Sequence, residues 1–262
     1  AAYGGFTGVA CMPGTNPPLH TKADIEYVKN KANANLVDVY PIGAISHNLE
    51  GKEMTELYDM HLSGAVAFSD DKKSVANAGL LLRSLIYINS FNGLIISHSE
   101  DKNISLDGKM NESEMSASLG LTGMPGLAEE IMISRNVSLA EYAKARLHFA
   151  TVSTARSVEI IRNAKKQGIR VTAEVAAHHL SLDDSALEEF DTNFKINPPL
   201  RGKKDVKALV KGLSDGTIDV ICSDHAPEDV ESKKREFDGA AFGAIGLETA
   251  YAAANTFSQL TP

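Results

Sequence analysis

The chain has 262 residues, 43% apolar and 23% charged, which is the balance of an ordinary globular protein with length for one large core. Its formal net charge of -8 argues against a nucleic-acid partner, because binders of a phosphate backbone carry a basic face. No apolar run approaches the ~20 residues of a membrane span, and no charged-then-apolar leader is present, so the expected location is the cytoplasm.

Residues 1–5 read as the end of a helix with a glycine stop at Gly4 and Gly5. Residues 6–12 are a buried-strand pattern ending at Pro13 and Gly14, and a helix over 21–34 follows with Thr21 as its N-cap. Strands are predicted at 36–45 and 64–69, with a helix over 50–60 between them. A helix over 74–88 leads to a strand at 93–97 that ends in His98. A polar stretch at 100–114 precedes helical segments that run to residue 145, and Ser138 with Glu141 predicts a capping box at the start of the last one. Then come a strand at 146–152, a helix at 154–167, a strand at 170–175 and a short helix near 183–189. A helix at 203–213, a strand at 218–222 and a final helix from about residue 246 complete the series. The two cysteines, Cys11 and Cys222, fall inside strand-like runs and read as buried thiols.

Strand and helix alternate seven times. The strands are continuous apolar runs, which indicates burial on both faces and a parallel sheet. The expected fold is α/β, a (β/α)8 TIM-type barrel lacking its N-terminal strand, with an open doubly wound sheet as the alternative. Nothing linker-like divides residues 1–262, so a single barrel domain is expected.

A barrel carries function on the loops after its strands. Polar residues gather there: Asp70 and Asp71, His98 with Glu100, Thr151 to Thr154, His178 with His179, and Asp224, His225 and Glu228. Imidazole and carboxylate from several strand ends suit a divalent metal such as zinc. Such a metal acidifies bound water, and a nearby carboxylate acts as base. Taken singly, each has a plainer reading: an aspartate as helix N-cap, His98 as a structural histidine, His178 and His179 as local packing.

Longer segments carry a resemblance. Cys11-Met12-Pro13-Gly14-Thr15-Asn16-Pro17-Pro18 resembles the dihydroorotase segment Met-Pro-Asn-Thr-Asn-Pro-Pro. The segment ending Phe68-Ser69-Asp70-Asp71, then Asn197-Pro198-Pro199-Leu200-Arg201, Asp224-His225-Ala226-Pro227 and Phe242-Gly243 resemble further dihydroorotase motifs in family order. The chain is similar to class I-type dihydroorotases of the amidohydrolase superfamily. That resemblance implies a zinc-dependent cyclic amidohydrolase of pyrimidine biosynthesis, interconverting N-carbamoyl-aspartate and dihydroorotate. It implies Asp71 and His98 as metal ligands, Asp224 as ligand and proton shuttle, Asn197 as a substrate contact, and Phe242 with Gly243 as a backbone contact to the ring. It also implies a homo-oligomer, with aspartate transcarbamoylase as a partner.

Four departures stand against that pattern. No His-x-His triplet occurs in the chain. Thr151 stands where the family has a ligand histidine, and His148, three residues earlier on a strand, faces the other side. Gly14 replaces an asparagine that contacts substrate, and Glu228 replaces a histidine that contacts the substrate carboxylate. Three readings follow: an active hydrolase with an altered metal site, a non-catalytic dihydroorotase-like scaffold, or an amidohydrolase repurposed for another small ligand.

Overall fold

A computed structural model describes residues 1–257; residues 258–262 of the expected domain lie outside it. In chain order its elements are β1 (Gly8–Cys11), α1 (Lys22–Ala32), β2 (Asp38–Gly43), α2 (Leu57–Leu62), β3 (Ala67–Phe68), α3 (Ala78–Asn89) and β4 (Ile95–His98). Next are α4 (Lys102–Ser105), β5 (Met110–Asn111), α5 (Glu114–Leu119), β6 (Gly123–Met124), α6 (Leu127–Ala143) and β7 (Leu147–Ala150). The described chain closes with α7 (Ala155–Lys166), β8 (Val171–Ala176), α8 (Lys203–Ser214), β9 (Val220–Cys222), α9 (Val230–Lys233) and α10 (Ala250–Phe257).

These elements form two compact units. The first comprises Ala1–Ser99, Arg135–Ala150 and Ala164–Thr172. Its strands pair in parallel as β1-β2-β3-β4-β7, and the amide of Leu147 at the start of β7 donates to Arg170 just before β8. The second comprises Glu100–Ser134, Thr151–Asn163 and Ala173–Pro262. In its described part Val152 N donates to Glu174 O of β8, and β8 pairs in parallel with β9. In the first unit each strand lies beside its predecessor, and in the second β9 lies beside β8 while β5 and β6 pair as a separate two-stranded sheet. This is the sequential order of a (β/α)8-type barrel and lacks the reversal of a doubly wound sheet.

Local chemistry accounts for several boundaries. Thr21 caps α1 in a reciprocal box with Asp24, as predicted. Asn77 caps α3 by accepting from Leu80 N. At the start of the chain, Phe6 N bonds Ala1 O and Gly5 N bonds Ala2 O, the paired pattern of a helix C-terminus.

Two predicted elements differ. The helix predicted over 50–60 is instead a 3₁₀ turn at His47–Leu49 followed by α2. A bridge between Ser46 and Met54, with the Thr55 hydroxyl on Ala44 O, holds the intervening segment as a loop. The capping box at Ser138 does not start a helix, because α6 runs unbroken through that residue. Tertiary contacts hold it: Ile133 is buried, and the Asn136 amide donates to Ser97 Oγ at 3.0 Å.

Candidate active site

In the first unit, Asp70 and Asp71 follow β3 and have different environments. Asp70 is buried and accepts from Ile45 N and Ser46 N, each at 2.9 Å, and from Ser46 Oγ at 2.5 Å. These bonds tie its carboxylate to the 45–46 loop, and desolvation raises its pKa despite them. Asp71 is half-buried, with its amide on Ser69 Oγ and its backbone at φ 56°. A Cβ built on Gly14 would overlap Asp71 Oδ2 and lie 3.1 Å from its Cγ. The Asp71 carboxylate therefore fills space that a side chain at position 14 would need. Burial, and then the Asp71 charge, raises the pKa of the Cys11 thiol. His98, at the end of β4, is buried, and its carbonyl accepts from Ser74 Oγ at 2.8 Å. His148 is also buried on β7, with Nδ1 2.8 Å from Thr172 Oγ1.

In the second unit, Thr151 follows β7. It is buried, its hydroxyl has no hydrogen-bond partner among the described residues, and its backbone sits at φ 45°. A β-branched residue in that region is a conformational outlier, whereas histidine and asparagine tolerate it. Thr151→Gly is expected to leave the melting temperature unchanged or raise it by a few degrees, because it relieves strain of about 1–2 kcal/mol and removes an unsatisfied hydroxyl. A fall of more than a few degrees in differential scanning calorimetry would count against that account.

Asp224, just after β9, also has a left-handed backbone at φ 42°. Its Oδ2 lies 4.0 Å from His178 Nε2. Three of the four strand-end candidates, Asp71, Thr151 and Asp224, thus adopt positive φ, a conformation that collects at functional sites. Asn197 donates to Glu100 Oε2 at 3.0 Å, and buried Glu100 also takes Ser105 Oγ at 2.6 Å and Lys102 Nζ at 2.7 Å. Gly243 is buried at φ 146°, where a Cβ would overlap the Ala226 carbonyl. Only glycine fits there. A cavity of about 430 Å³ lies beside it, lined by His178, Phe194, Ile196, Ser223 and Glu228 among others, a size suited to a small molecule.

Sequence reasoning missed several supporting residues. Arg201 is buried, donating from Nη1 to Asn111 Oδ1 and Met124 O, and from Nε to Ser153 Oγ. Glu129, also buried, accepts from Ser153 N, Ser153 Oγ and Thr154 N, and lies 3.9 Å from Arg201 Nη2. Arg201 had a signal, as the end of the Asn197 motif; Glu129 had none. Lys195 is 2% exposed between the rings of Phe237 and Phe242, 5.3 and 4.9 Å from their centroids.

Burial, and then the charge of Lys109, pushes Lys195 down to about 8 from 10.5; Lys233 acts in the same direction and Asp238 opposes. A lysine lowered in this way binds fewer protons folded than unfolded, so its contribution to stability rises with pH between about 8 and 10.5. Wild type is expected to gain up to about 3 kcal/mol over that window relative to Lys195→Met, in urea unfolding at matched pH. Parallel pH profiles for the two proteins would contradict this.

Among the described residues, no three or more His, Cys, Asp or Glu side chains come together in an arrangement that could hold a metal ion. Thr151 offers a neutral hydroxyl where zinc prefers imidazole, carboxylate or thiolate. At that position the chain offers no zinc ligand of the usual kind. Among the same residues no helix is long and apolar enough to cross a membrane.

Comparison with known proteins places the chain. It is 50% identical over 258 residues to a dihydroorotase of Ruminiclostridium cellulolyticum, covering 98% of this chain and 60% of that protein. It is 53% identical over 250 residues to a dihydroorotase of Pelotomaculum thermopropionicum, covering 95% of this chain and 58% of that protein. The chain therefore spans about three fifths of the curated relatives that it matches. Among solved structures, L-hydantoinase (dihydropyrimidinase) from Arthrobacter aurescens aligns with a TM-score of 0.82 at 28% identity, over 97% of this chain and 58% of that one. The fold is the TIM-type barrel of the amidohydrolase superfamily. The Dihydro-orotase-like family model matches residues 1–157, and the chain belongs to that family.

Proposed function

We propose that residues 1–262 form one amidohydrolase-like barrel domain of a cytoplasmic, homo-oligomeric dihydroorotase-family protein of pyrimidine biosynthesis. Its ligand class is dihydroorotate or N-carbamoyl-aspartate, and its own turnover of them is very low or absent. The observation that carries this reading is Thr151: a buried hydroxyl without a hydrogen-bond partner among the described residues, on a left-handed backbone, at the position where the family resemblance puts a zinc-ligating imidazole.

The family is one of metal-dependent amidohydrolases, and zinc is the metal that the resemblance implies. In this chain Asp71, His98 and Asp224 are the strong ligands left at the matched positions, and Thr151 does not replace a fourth. Asp224, beside His178, remains a candidate proton carrier, and Asn197, Phe242 and Gly243 remain candidate substrate contacts. Position 228 works against an anionic ligand, since Glu228 puts a negative charge on the cavity wall. Losing one charge-assisted contact costs about 1.5–3 kcal/mol, or one to two orders of magnitude in affinity. With turnover lost, the protein acts as a scaffold, and aspartate transcarbamoylase is the partner that the resemblance points to.

The test is a dihydroorotate hydrolysis assay with added zinc on the full-length protein, beside the pair Thr151→His and Glu228→His. Absent turnover in wild type, with turnover appearing in the pair, is the expected result. Robust turnover by the unmodified protein would overturn the reading.

A further inference from the structure

Lys195 and Lys233 converge on the Phe242–Gly243 turn, and neither belongs to the motifs that suggested the site. The Lys195 ammonium donates to Phe237 O at 2.6 Å and Asp238 O at 3.0 Å while lying over the Phe242 ring. Its carbonyl accepts from Gly243 N at 2.9 Å. From the other direction, Lys233 Nζ donates to Gly243 O at 2.8 Å, Ala241 O at 3.1 Å and Lys195 O at 3.4 Å. Two ammonium groups and one carbonyl thus hold a segment with little regular structure of its own.

We propose that Lys195 and Lys233 are positioning residues that clamp the Phe242–Gly243 turn in its ligand-facing conformation. The proposal rests on reading that turn as a substrate contact. Both charges are expensive where they sit. Desolvation is the leading influence on each and lowers both pKa values, with Lys109 and Asp238 facing Lys195, and Glu228 and Asp191 facing Lys233. A buried ammonium is an inefficient way to stabilise a fold, since well-packed apolar groups of similar size often do as well or better. What it supplies is directional: three donors aimed at carbonyls that a hydrocarbon chain cannot hold. The clamp has a further consequence. Because Gly243 N–H is committed to Lys195 O, the polar backbone group that Gly243 can still offer a ligand is its carbonyl, through the lone pair that Lys233 does not use.

The two roles separate experimentally. In full-length protein, Lys195→Met is expected to melt at or above the wild-type temperature. Hydrogen exchange of the peptide spanning 241–247 should become at least tenfold faster, with peptides spanning 111–130 unchanged. Lys233→Met should loosen the same peptide, and its half-buried side chain makes it the milder change. Calorimetric titration with dihydroorotate should show at least tenfold weaker binding to either variant than to wild type. Wild-type exchange at 241–247 in a folded Lys195→Met protein would overturn the proposal. So would loosening spread evenly over the chain with a fallen melting temperature, which is what a merely structural lysine predicts. If Lys195→Met does not fold, unchanged exchange in Lys233→Met overturns it. If wild type fails to bind dihydroorotate, the ligand reading fails while the exchange comparison still decides the clamp.

Discussion

Arg201→Met is expected to cost about 3–5 kcal/mol of stability, because it strands a carboxylate inside the second unit. Arg201 and Glu129 are both buried, and each has partners beyond the other. Removing the guanidinium takes the donor from Asn111 Oδ1, leaves Met124 O with the Glu112 amide at 3.2 Å, and leaves the Glu129 charge with its hydrogen bonds from Ser153 and Thr154. Burial already holds the guanidinium below its ordinary pKa, against the pull of Glu129 and Asp205, so the charge stands in a weakly solvated setting. Adding Glu129→Gln should recover part of the loss, with a coupling of at least about 1 kcal/mol in a urea double-mutant cycle. Arg201→Met also removes the donor to Ser153 Oγ, two residues beyond the candidate ligand position at Thr151. A single-variant cost below about 1 kcal/mol would show that the network is wet and that this reading of it is wrong.

Gly14→Asn, which would restore the family residue at that position, is expected to displace the Asp71 carboxylate and to destabilise by about 1 kcal/mol or less, since Gly14 is exposed and the atom it meets is a side-chain tip. The cause is specific. The new Cβ meets the Asp71 carboxylate, which must swing away, and Asp71 is itself on a left-handed backbone. Asp71→Gly removes the obstacle and the strain together, so the double variant should be more stable than Gly14→Asn alone. Purely additive effects in thermal unfolding would contradict this. The consequence for engineering is that an asparagine at position 14 and the present Asp71 conformation exclude each other. Thr151→His with Glu228→His is the restoration that leaves Asp71 in place.

The order of elements was legible because each depends on local signals. Thr21 and Asp24 make the same capping box in sequence and in space, and the apolar runs at 93–97 and 146–152 became β4 and β7. Local signals also misled where tertiary contacts outweighed them. Ser138 and Glu141 have capping spacing, yet that spacing occurs equally in a helix interior, and the hold of Asn136 on Ser97 keeps α6 continuous. The candidate ligand and substrate positions came from motifs, whose residues are adjacent in sequence. The residues that hold the site's backbone were not legible, because their partners are far away: Arg201 is 90 residues from Asn111, and Lys195 is 42 from Phe237. No pattern of period 2 or 3.6 encodes such pairs. The left-handed backbones of Asp71, Thr151 and Asp224 were hidden for a related reason, since threonine and aspartate do not announce positive φ as glycine does.

We propose that the positions matching the family's site remain here without its metal chemistry. Zinc content measured by plasma mass spectrometry, on full-length protein purified with zinc present and then dialysed, tests it most directly. The account predicts far less than one zinc per chain, and no rise in melting temperature when zinc is added. Two zinc ions per chain, retained through dialysis and accompanied by a raised melting temperature, would contradict it.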